Sequence, residues 1–489
     1  MPIDLSSVNA NFLVVLPELV LLAFTLVVLV WDLYAREKQG LGWVSLLGVA
    51  LAMATLWFTS RPGVVEPGDY FGRMVAADTF TYFMKAVFLL VAGMIILLSM
   101  DWVAARMPKV QVEFYELVLF ATLGMVFMAG SRDIVLIYLG LELASQASYI
   151  LAGLLRRDTR SHEAALKYFL NGALASAVLL YGISLLYGLT GTTYLPDMAA
   201  ALGGTSRGLS IAALVFVVAG FGFKVAAAPF HLWAPDAYEG APTPVTGFFS
   251  IGPKAAAFAA ILRVFLVGLG DRALAPEWSM LWAILAAASM FIGNLTALWQ
   301  TNFKRMMAYS SISHAGYILT GVVAAAHVPE AGTGAVLFYV LGYALTNLGV
   351  WAVMVAMENA GTGTDLEDFK GLGQRAPIYA WSMVFLLVSL IGVPPTVGFF
   401  GKFFLFTAAV DAGYLWLAVI MAVNSAVSIG YYYGVVRNMF LSPTEKPALH
   451  AGAGPAAVIA LSVLGVLLVG LSSAPFIDYA RSTVALFFP

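Results

Sequence analysis

The sequence predicts an all-α integral membrane protein with about fourteen transmembrane helices. Of its 489 residues, 61% are hydrophobic and only 11% are charged, whereas a soluble domain carries about 25% charged residues. The apolar stretches are continuous over about 20 residues, as a membrane-spanning helix requires, and do not alternate over about 10 residues as barrel strands do. Lipid is therefore the expected solvent for most of the surface.

The individual helices follow from these apolar runs. In chain order they are predicted at residues 12–32, 41–59, 79–99, 114–130, 134–155, 163–189, 208–228, 244–268, 278–298, 305–326, 332–357, 378–409, 413–436 and 453–473. Lysine and arginine are concentrated in the loops that follow odd-numbered helices, as in the segment from Arg156 to Arg160. Because basic loops stay in the cytoplasm, both chain termini are predicted on the outer side.

Composition excludes several kinds of function. Cysteine is absent, and the 25 basic residues nearly balance the 27 acidic ones. The lack of thiols excludes disulfides, thiolate zinc sites and cysteine-held iron–sulfur clusters within this chain. The balanced charge gives no indication of a nucleic-acid partner. The first apolar run lacks the basic segment and the cleavage motif of a signal peptide, so it is predicted to be retained.

An internal repeat is visible in two short motifs. Residues 145–153 (SQASYILAG) and 313–321 (SHAGYILTG) are identical at six of nine positions and lie 168 residues apart. They fall on the fifth and tenth predicted helices, which run in opposite directions through the membrane. A motif shared by oppositely directed helices predicts two inverted five-helix repeats, an architecture of many transporters. The predicted division is 1–112, 113–268 (first repeat), 277–438 (second repeat) and 439–489.

Two predicted helices contain residues that interrupt a helix. The seventh runs into Pro229 and Pro235, and the twelfth contains Pro394 and Pro395 between two glycines. Proline removes a backbone donor and clashes with the preceding turn. Broken helices 7 and 12 are therefore predicted, and corresponding breaks in two repeats indicate an ion path.

Four charged residues lie deep inside predicted helices: Glu142, Lys224, Lys254 and Lys402. Each charge at such a depth costs about 2.5–3.5 kcal/mol. One interpretation is a set of static ion pairs that hold helices together. However, one carboxylate cannot neutralise three lysines. A buried lysine releases its proton readily whereas arginine stays charged, so we interpret these groups as exchanging protons.

Further candidates are two histidines and two lysines. His314 lies beside the repeated motif and His231 lies between the prolines of the seventh helix. A neutral imidazole can relay protons, although such a histidine can also be a structural hydrogen-bonding group. We predict a relay role for His314 first, with weaker roles for His231 and Lys167. Lys167 and Lys85 could also extend to the membrane interface. Neither histidine has the neighbours of a metal site.

Four longer motifs make the sequence specific. They are PFHLWAPDAYEGAPTPVTGFFSIGPK (229–254), SSISHAGYILTG (310–321), DLEDFKGLG (365–373) and IGVPPTVGFFGK (391–402). The chain resembles the antiporter-like membrane subunits of bacterial NADH–quinone oxidoreductase (complex I), and most closely the subunit N family. That resemblance implies a proton-translocating subunit in the bacterial inner membrane, driven by electron transfer from NADH to quinone in other subunits.

The resemblance also implies roles for single residues. Glu142 and Lys224 would form the ion pair of the family, Lys254 would be the central proton carrier, Lys402 would lie at the exit, and His314 would be the relay histidine. No cofactor is expected in this chain, while FMN and iron–sulfur clusters belong to partner subunits. Other membrane subunits and lipids are the expected partners. The alternatives are an Mrp-type sodium/proton antiporter subunit and a purely structural scaffold of the membrane arm.

Overall fold

A computed structural model describes residues 10–34, 38, 40–270, 274–442 and 452–486. Apart from one short hairpin, the regular elements of this part of the chain are helices. Twelve of its helices are long and apolar enough to cross a membrane, so the chain is a multi-pass membrane protein.

The N-terminal part contains three long helices and the hairpin. A 3-10 turn (Phe12–Val15) leads into α1 (Leu16–Tyr34), which is followed by α2 (Gly40–Thr59), β1 (Gly68–Tyr70), β2 (Val75–Ala77) and α3 (Thr79–Arg106). The two strands are antiparallel, with Asp69 opposite Ala76. Asp78 begins α3, because its carboxylate accepts a hydrogen bond from the Thr81 backbone N–H at 2.8 Å.

The next part of the chain contains seven helices. These are α4 (Gln111–Ala129), α5 (Ile134–Ala152), α6 (Thr159–Thr190), α7 (Leu195–Leu202), α8 (Arg207–Lys224), α9 (Trp233–Gly240) and α10 (Thr243–Leu262), which a π-helical turn (Arg263–Gly268) extends. The helix predicted from residue 163 begins earlier, because Asp158 accepts a hydrogen bond from the Arg160 backbone and caps α6. The helix predicted to reach residue 228 ends instead at Lys224.

The remaining helices complete the bundle. They are α11 (Ala275–Ala297), α12 (Phe303–Ala325), α13 (Pro329–Asn359), α14 (Leu372–Arg375) after a 3-10 turn (Leu366–Phe369), α15 (Pro377–Ile391), α16 (Val397–Asp411), α17 (Leu415–Leu441), α18 (Ala453–Leu471) and α19 (Ser473–Ser482), with a final 3-10 turn (Thr483–Leu486). Two predicted spans are not among the twelve. They are 305–326, which corresponds to the serine-rich α12, and 378–409, where two shorter helices, α15 and α16, occur.

The centre of the bundle is formed by α10, α12 and α13, which are buried along almost their whole length. Two close helix contacts flank this centre. A Cβ on Gly124 of α4 would lie 2.6 Å from the Gly140 carbonyl oxygen of α5, and one on Gly293 of α11 would lie 2.7 Å from the Tyr309 carbonyl oxygen of α12. Small residues allow membrane helices to approach so closely.

A buried ion pair joins α3 to the end of α10. Arg263 is fully buried and donates to both carboxylate oxygens of Asp78, at 2.7 and 2.8 Å. Burial alone would raise the pKa of the Asp78 carboxyl, but the charge and hydrogen bonds of Arg263, with those of Thr81, lower it to about 2. This contribution to stability is complete above the unfolded-state pKa of about 3.9 and is lost as the pH falls through about 2.

We expect Asp78→Asn to lower the free energy of unfolding at neutral pH by about 3–5 kcal/mol, because the buried guanidinium loses its bidentate carboxylate. Thermal unfolding of the detergent-purified protein measures the effect. Asp197→Asn is the matched control, since Asp197 pairs with Arg73 at 2.9 Å on the surface and such pairs contribute about 0–1 kcal/mol. Equal effects of the two substitutions would contradict the prediction.

Candidate functional site

The first buried charge pair lies between α5 and α8. The Lys224 ammonium nitrogen is 3.7 Å from a Glu142 carboxylate oxygen, and it donates to the Ser145 hydroxyl at 2.8 Å and to the Ser176 hydroxyl at 3.2 Å. Ser176 in turn donates to the same Glu142 oxygen at 2.5 Å. A hydroxyl therefore bridges the two charges and provides a hydrogen-bonded connection between them.

The chain leaves the helical conformation directly after Lys224. Ala226 has a φ of +57°, a region that L residues rarely adopt. The backbone groups released by this break have partners within the protein: Ala228 N–H donates to the Ser289 hydroxyl at 2.8 Å, and the Phe223 carbonyl accepts from the Trp233 indole at 3.0 Å. Irregular backbone inside a membrane is tolerated only with such partners.

Lys254 lies on α10, in the buried centre of the bundle. It is 4% exposed, and its ammonium donates to the hydroxyl of Ser311 and, at 3.3 Å, to the Ser311 carbonyl. The Tyr238 hydroxyl lies 3.2 Å from the same Ser311 hydroxyl. Within the described residues, no carboxylate oxygen lies within 4.0 Å of the Lys254 nitrogen. In this part of the chain its charge is stabilised by neutral groups, namely the Ser311 oxygens and the Tyr238 ring, whose centre is 5.6 Å from the nitrogen.

Two small cavities lie beside this group. One is lined by Lys254, Ser311 and Tyr343, and the other by His314, Tyr343 and Ser389. Each cavity has a volume of about 10 Å³ that the centre of a water molecule can occupy. This is enough for about one water molecule. Tyr343 lines both cavities, so its ring separates the surroundings of Lys254 from those of His314.

His314 is held by two tyrosine hydroxyls. Its Nδ1 lies 2.7 Å from the Tyr339 hydroxyl, and its Nε2 lies 3.3 Å from the Tyr432 hydroxyl, which is 2.6 Å from the Ser310 hydroxyl. A neutral imidazole donates from one nitrogen and accepts at the other. Both sides of the ring can therefore exchange a proton with a hydroxyl group.

Lys402 lies on α16, and its ammonium reaches the C-terminal end of α15. Its ammonium donates to the carbonyls of Leu390 and Ile391, at 2.9 and 2.8 Å, and to the Ser425 hydroxyl at 2.8 Å. These two carbonyls belong to the last turn of α15, where a cation is favoured by the helix dipole. No carboxylate oxygen of the described chain lies within 4.0 Å of this nitrogen either.

The candidate residues do not form one continuous hydrogen-bonded chain. Between Lys224 and Lys254 lie aromatic side chains, with Trp233 stacked on Tyr168 at a ring-centre distance of 4.3 Å. Hydrogen bonds through Ser176 connect Lys224 to Glu142, and hydrogen bonds through Ser311 connect Lys254 to Tyr238. Among the described residues, no hydrogen bond connects the first pair to the second. The described part contains no group of three or more histidine and carboxylate side chains placed to hold a metal ion.

Comparison with known proteins identifies the family. Residues 131–428 match the family described as "NADH:quinone oxidoreductase/Mrp antiporter, TM". NADH-quinone oxidoreductase subunit N 2 of Symbiobacterium thermophilum is 52% identical, with 98% of each chain aligned. Subunit N of Trichlorobacter lovleyi is 42% identical, also over 98% of each chain. The chain belongs to the subunit N family of NADH-quinone oxidoreductases.

Solved structures agree with this assignment to subunit N. A chain of respiratory complex I from Thermus thermophilus with bound aureothin has a TM-score of 0.79 and 35% sequence identity, and the match covers 95% of this chain and 99% of that one. A chain of the Mrp complex from Dietzia sp. has a TM-score of 0.83 at 23% identity over 98% of each chain, which shows a shared fold. As a subunit N, the chain is part of an oxidoreductase complex.

Two lysines of this subunit N are placed differently from the deep candidates. Lys167 is 44% exposed at the side chain and pairs with Glu163 at 2.6 Å and Asp236 at 2.7 Å, so it belongs to a partly exposed ion cluster. Lys85, for which extension to the membrane interface was one possibility, instead has a charged partner within the protein. Lys85 is fully buried and pairs with Glu18 of α1 at 2.6 Å. His231 is also buried, and its Nδ1 has no hydrogen-bond partner among the described residues.

Sequence reasoning missed several buried charged residues, and three of them are Glu18, Lys304 and Glu358. Each lies within about one helical turn of a helix end, which a sequence reading assigns to the aqueous interface. Each is in contact with a group from another element: Glu18 with Lys85, Lys304 with the Ala241 carbonyl, and Glu358 with Trp102 and Thr243. The single sequence signal was that Glu18 falls inside the first apolar run.

We expect Ser289→Ala to destabilise the protein by about 1–3 kcal/mol, because the Ala228 N–H would lose its buried partner at the break after α8. Thermal unfolding of the purified protein measures the change. Ser184→Ala provides the control, since that exposed hydroxyl bonds only within its own helix and the expected change is within about 0.5 kcal/mol. A Ser289→Ala protein as stable as the control would show that the break does not depend on this bond.

Proposed function

We propose that this subunit N translocates protons across the membrane, driven by electron transfer from NADH to quinone in other subunits of the complex. The proposed path uses Glu142, Lys224, Lys254, His314 and Lys402. The observation that carries the proposal is the surrounding of Lys254 and Lys402, whose buried ammonium groups contact neutral oxygens and aromatic rings but, within the described residues, no carboxylate. Such a site favours release of the proton more than a carboxylate partner would.

The geometry supports a stepwise relay. A proton held by Lys224 is stabilised while Glu142 is close and becomes easier to release when the two charges separate. Lys254 would exchange its proton with water in the adjoining cavity, and His314 would pass it on between its two tyrosine hydroxyls. Lys402 would receive it at the break between α15 and α16. The stacked rings between Lys224 and Lys254 would have to admit water for the first transfer. His231 and Lys167 are proposed for supporting roles.

We also propose the inverted-repeat architecture, with parts 1–112, 113–268, 277–438 and 439–489. The close contact at Gly124 between α4 and α5 has a counterpart 169 residues later at Gly293, between α11 and α12. Pro229 and Pro395, which follow α8 and α15, are 166 residues apart. In this proposal α8 with α9, and α15 with α16, are the two broken spans of a membrane domain with about fourteen spans.

The surroundings of the chain are proposed from the same family. We propose that its partners are neighbouring antiporter-like and small membrane subunits of complex I, which would leave FMN and the iron–sulfur clusters to other subunits. We place the chain in the bacterial inner membrane, with both termini on the outer side. The terminal residues 1–9 and 487–489 lie outside the described residues.

We expect Glu142→Gln to reduce proton translocation more than complex assembly, because the amide fits the same space but cannot change charge. Translocation by intact complex in membrane vesicles and the amount of assembled complex are the measurements. The double variant Glu142→Gln with Gln146→Glu is a useful control. Gln146 lies one turn from Glu142 and donates to it at 3.4 Å, so the double variant restores a carboxylate close to the original one. Normal translocation by Glu142→Gln would remove Glu142 from the path.

We expect Lys254→Ala to lose coupled proton translocation while the complex still assembles. Lys254→Arg should also fail, because arginine keeps its charge and cannot release the proton. If Lys254 only held helices together, arginine would serve as a fixed cation and alanine would reduce assembly. The same vesicle assay with both variants separates these cases, and normal translocation by Lys254→Arg would refute the proposed role.

A further inference from the structure

A row of buried polar atoms runs along α13, from Tyr343 beside Lys254 and His314 toward the C-terminal end of the helix. The Tyr343 hydroxyl, the Asn347 carbonyl oxygen and the Trp351 indole nitrogen are buried, and none has a hydrogen-bond partner in the described part of the chain. They are spaced four residues apart, so they lie on one face of the helix. Buried polar atoms without protein partners indicate ordered water, since leaving them unsatisfied is costly.

The row begins at Lys254. Tyr343 lines the cavity that also contains Lys254 and Ser311. The Asn347 amide donates at 2.8 Å to the hydroxyl of Ser250, which lies one turn before Lys254 on α10. The row is therefore attached to the proposed central proton carrier at two points.

The row ends at Glu358, in the last turn of α13. Glu358 is 9% exposed, and its two carboxylate oxygens accept from the Trp102 indole and the Thr243 hydroxyl, each at 2.6 Å. A carboxylate at the C-terminus of a helix is disfavoured by the helix dipole, so helix stability does not explain its presence. Asn347 and Glu358 are about 16 Å apart along the helix axis, a length that needs several water molecules.

A second buried charge faces the same end of the row. Lys304 is 4% exposed and donates to the Ala241 carbonyl at 2.5 Å, two residues before the Thr243 that binds Glu358. Among the described residues its nitrogen has no carboxylate within 4.0 Å, although the charge of Glu358 acts on it. The exposed Arg106 packs over Trp102 and donates to the Glu358 carbonyl, so one layer of side chains separates Glu358 from the surface.

We infer that Glu358 is a further proton-relay residue, and that water bound along Tyr343, Asn347 and Trp351 connects it to Lys254. This inference rests on the proposed function of Lys254. Glu358 would take a proton from the surface at the Arg106 end. The proton would then pass along the water to Lys254, so that the path has one arm toward Glu358 and another toward His314 and Lys402.

The test uses intact complex in membrane vesicles. Glu358→Gln keeps an oxygen and adds N–H donors in the same space but cannot carry a proton, and Asn347→Leu replaces the water-binding amide with an apolar group of similar size. We expect both variants to assemble and to lower proton translocation to the level of Lys254→Ala. Glu358→Asp retains a carboxyl group and should translocate more than Glu358→Gln.

Thr333→Val is the matched control. Thr333 lies on the same helix and also has a buried hydroxyl without a hydrogen-bond partner among the described residues, but it lies near the opposite end of α13. It should translocate protons at the wild-type level. An equal loss in this control would overturn the inference, because the effect would not be specific to the row. If Glu358→Gln fails to assemble, Asn347→Leu decides the test.

The remaining outcomes separate this inference from the proposed function. If Lys254→Ala loses translocation while Asn347→Leu and Glu358→Gln retain it, the row is not a proton path and the proposed function stands. If Lys254→Ala itself translocates normally, the proposed function fails, and the inference fails with it.

Discussion

A lysine ammonium inside a membrane must be surrounded by oxygen atoms, because a bare charge there costs at least about 2.5–3.5 kcal/mol. In this protein one helix end provides two of those oxygens, and a second helix ends at a buried lysine. The last turn of α15 directs its carbonyls at Lys402, and α8 ends at Lys224 itself. Lys254 takes a carbonyl from the unbroken α12, where a serine hydroxyl supplies the second oxygen. The places where helices stop are therefore tied to the places where buried charges lie.

Where a helix ends inside the bundle, its unpaired backbone groups need hydrogen-bond partners, and neighbouring helices supply them. Ser289 of α11 satisfies the backbone after α8, so the position of α11 is linked to the site around Lys224. The close approach of α11 to α12 at Gly293 in turn helps to fix the helix that carries Ser311 and His314. Packing that appears remote from the charges therefore helps to hold the groups that surround them.

Much of this could be predicted from sequence, since charged residues are rare in the chain and stand out in apolar runs. The family resemblance implied the pairing of Glu142 with Lys224, whereas the depth of the charges alone left open which of the three lysines would pair with the one carboxylate. The pairing of Lys85 with Glu18 was not implied, because residues 67 positions apart meet only through the tertiary packing of the helices. Glu358 was missed for a related reason: near a helix end, burial depends on how far neighbouring helices extend. The prolines of the twelfth predicted helix indicated a break, but the tertiary fold determines which carbonyls bind Lys402.

The buried charges fall into two groups that differ in what holds them. Asp78 with Arg263, and Glu18 with Lys85, are joined by direct contacts of 2.6–2.8 Å between opposite charges. Removing a proton from such a pair would leave an uncompensated charge at low dielectric, which is strongly unfavourable. Lys254 and Lys402 are held by hydroxyls and carbonyls, which remain neutral whether or not the proton is present. The second arrangement allows a proton to leave without stranding a charge. Lys254 and Lys402 are therefore better suited to the proposed proton exchange than Lys85, which is in direct contact with Glu18.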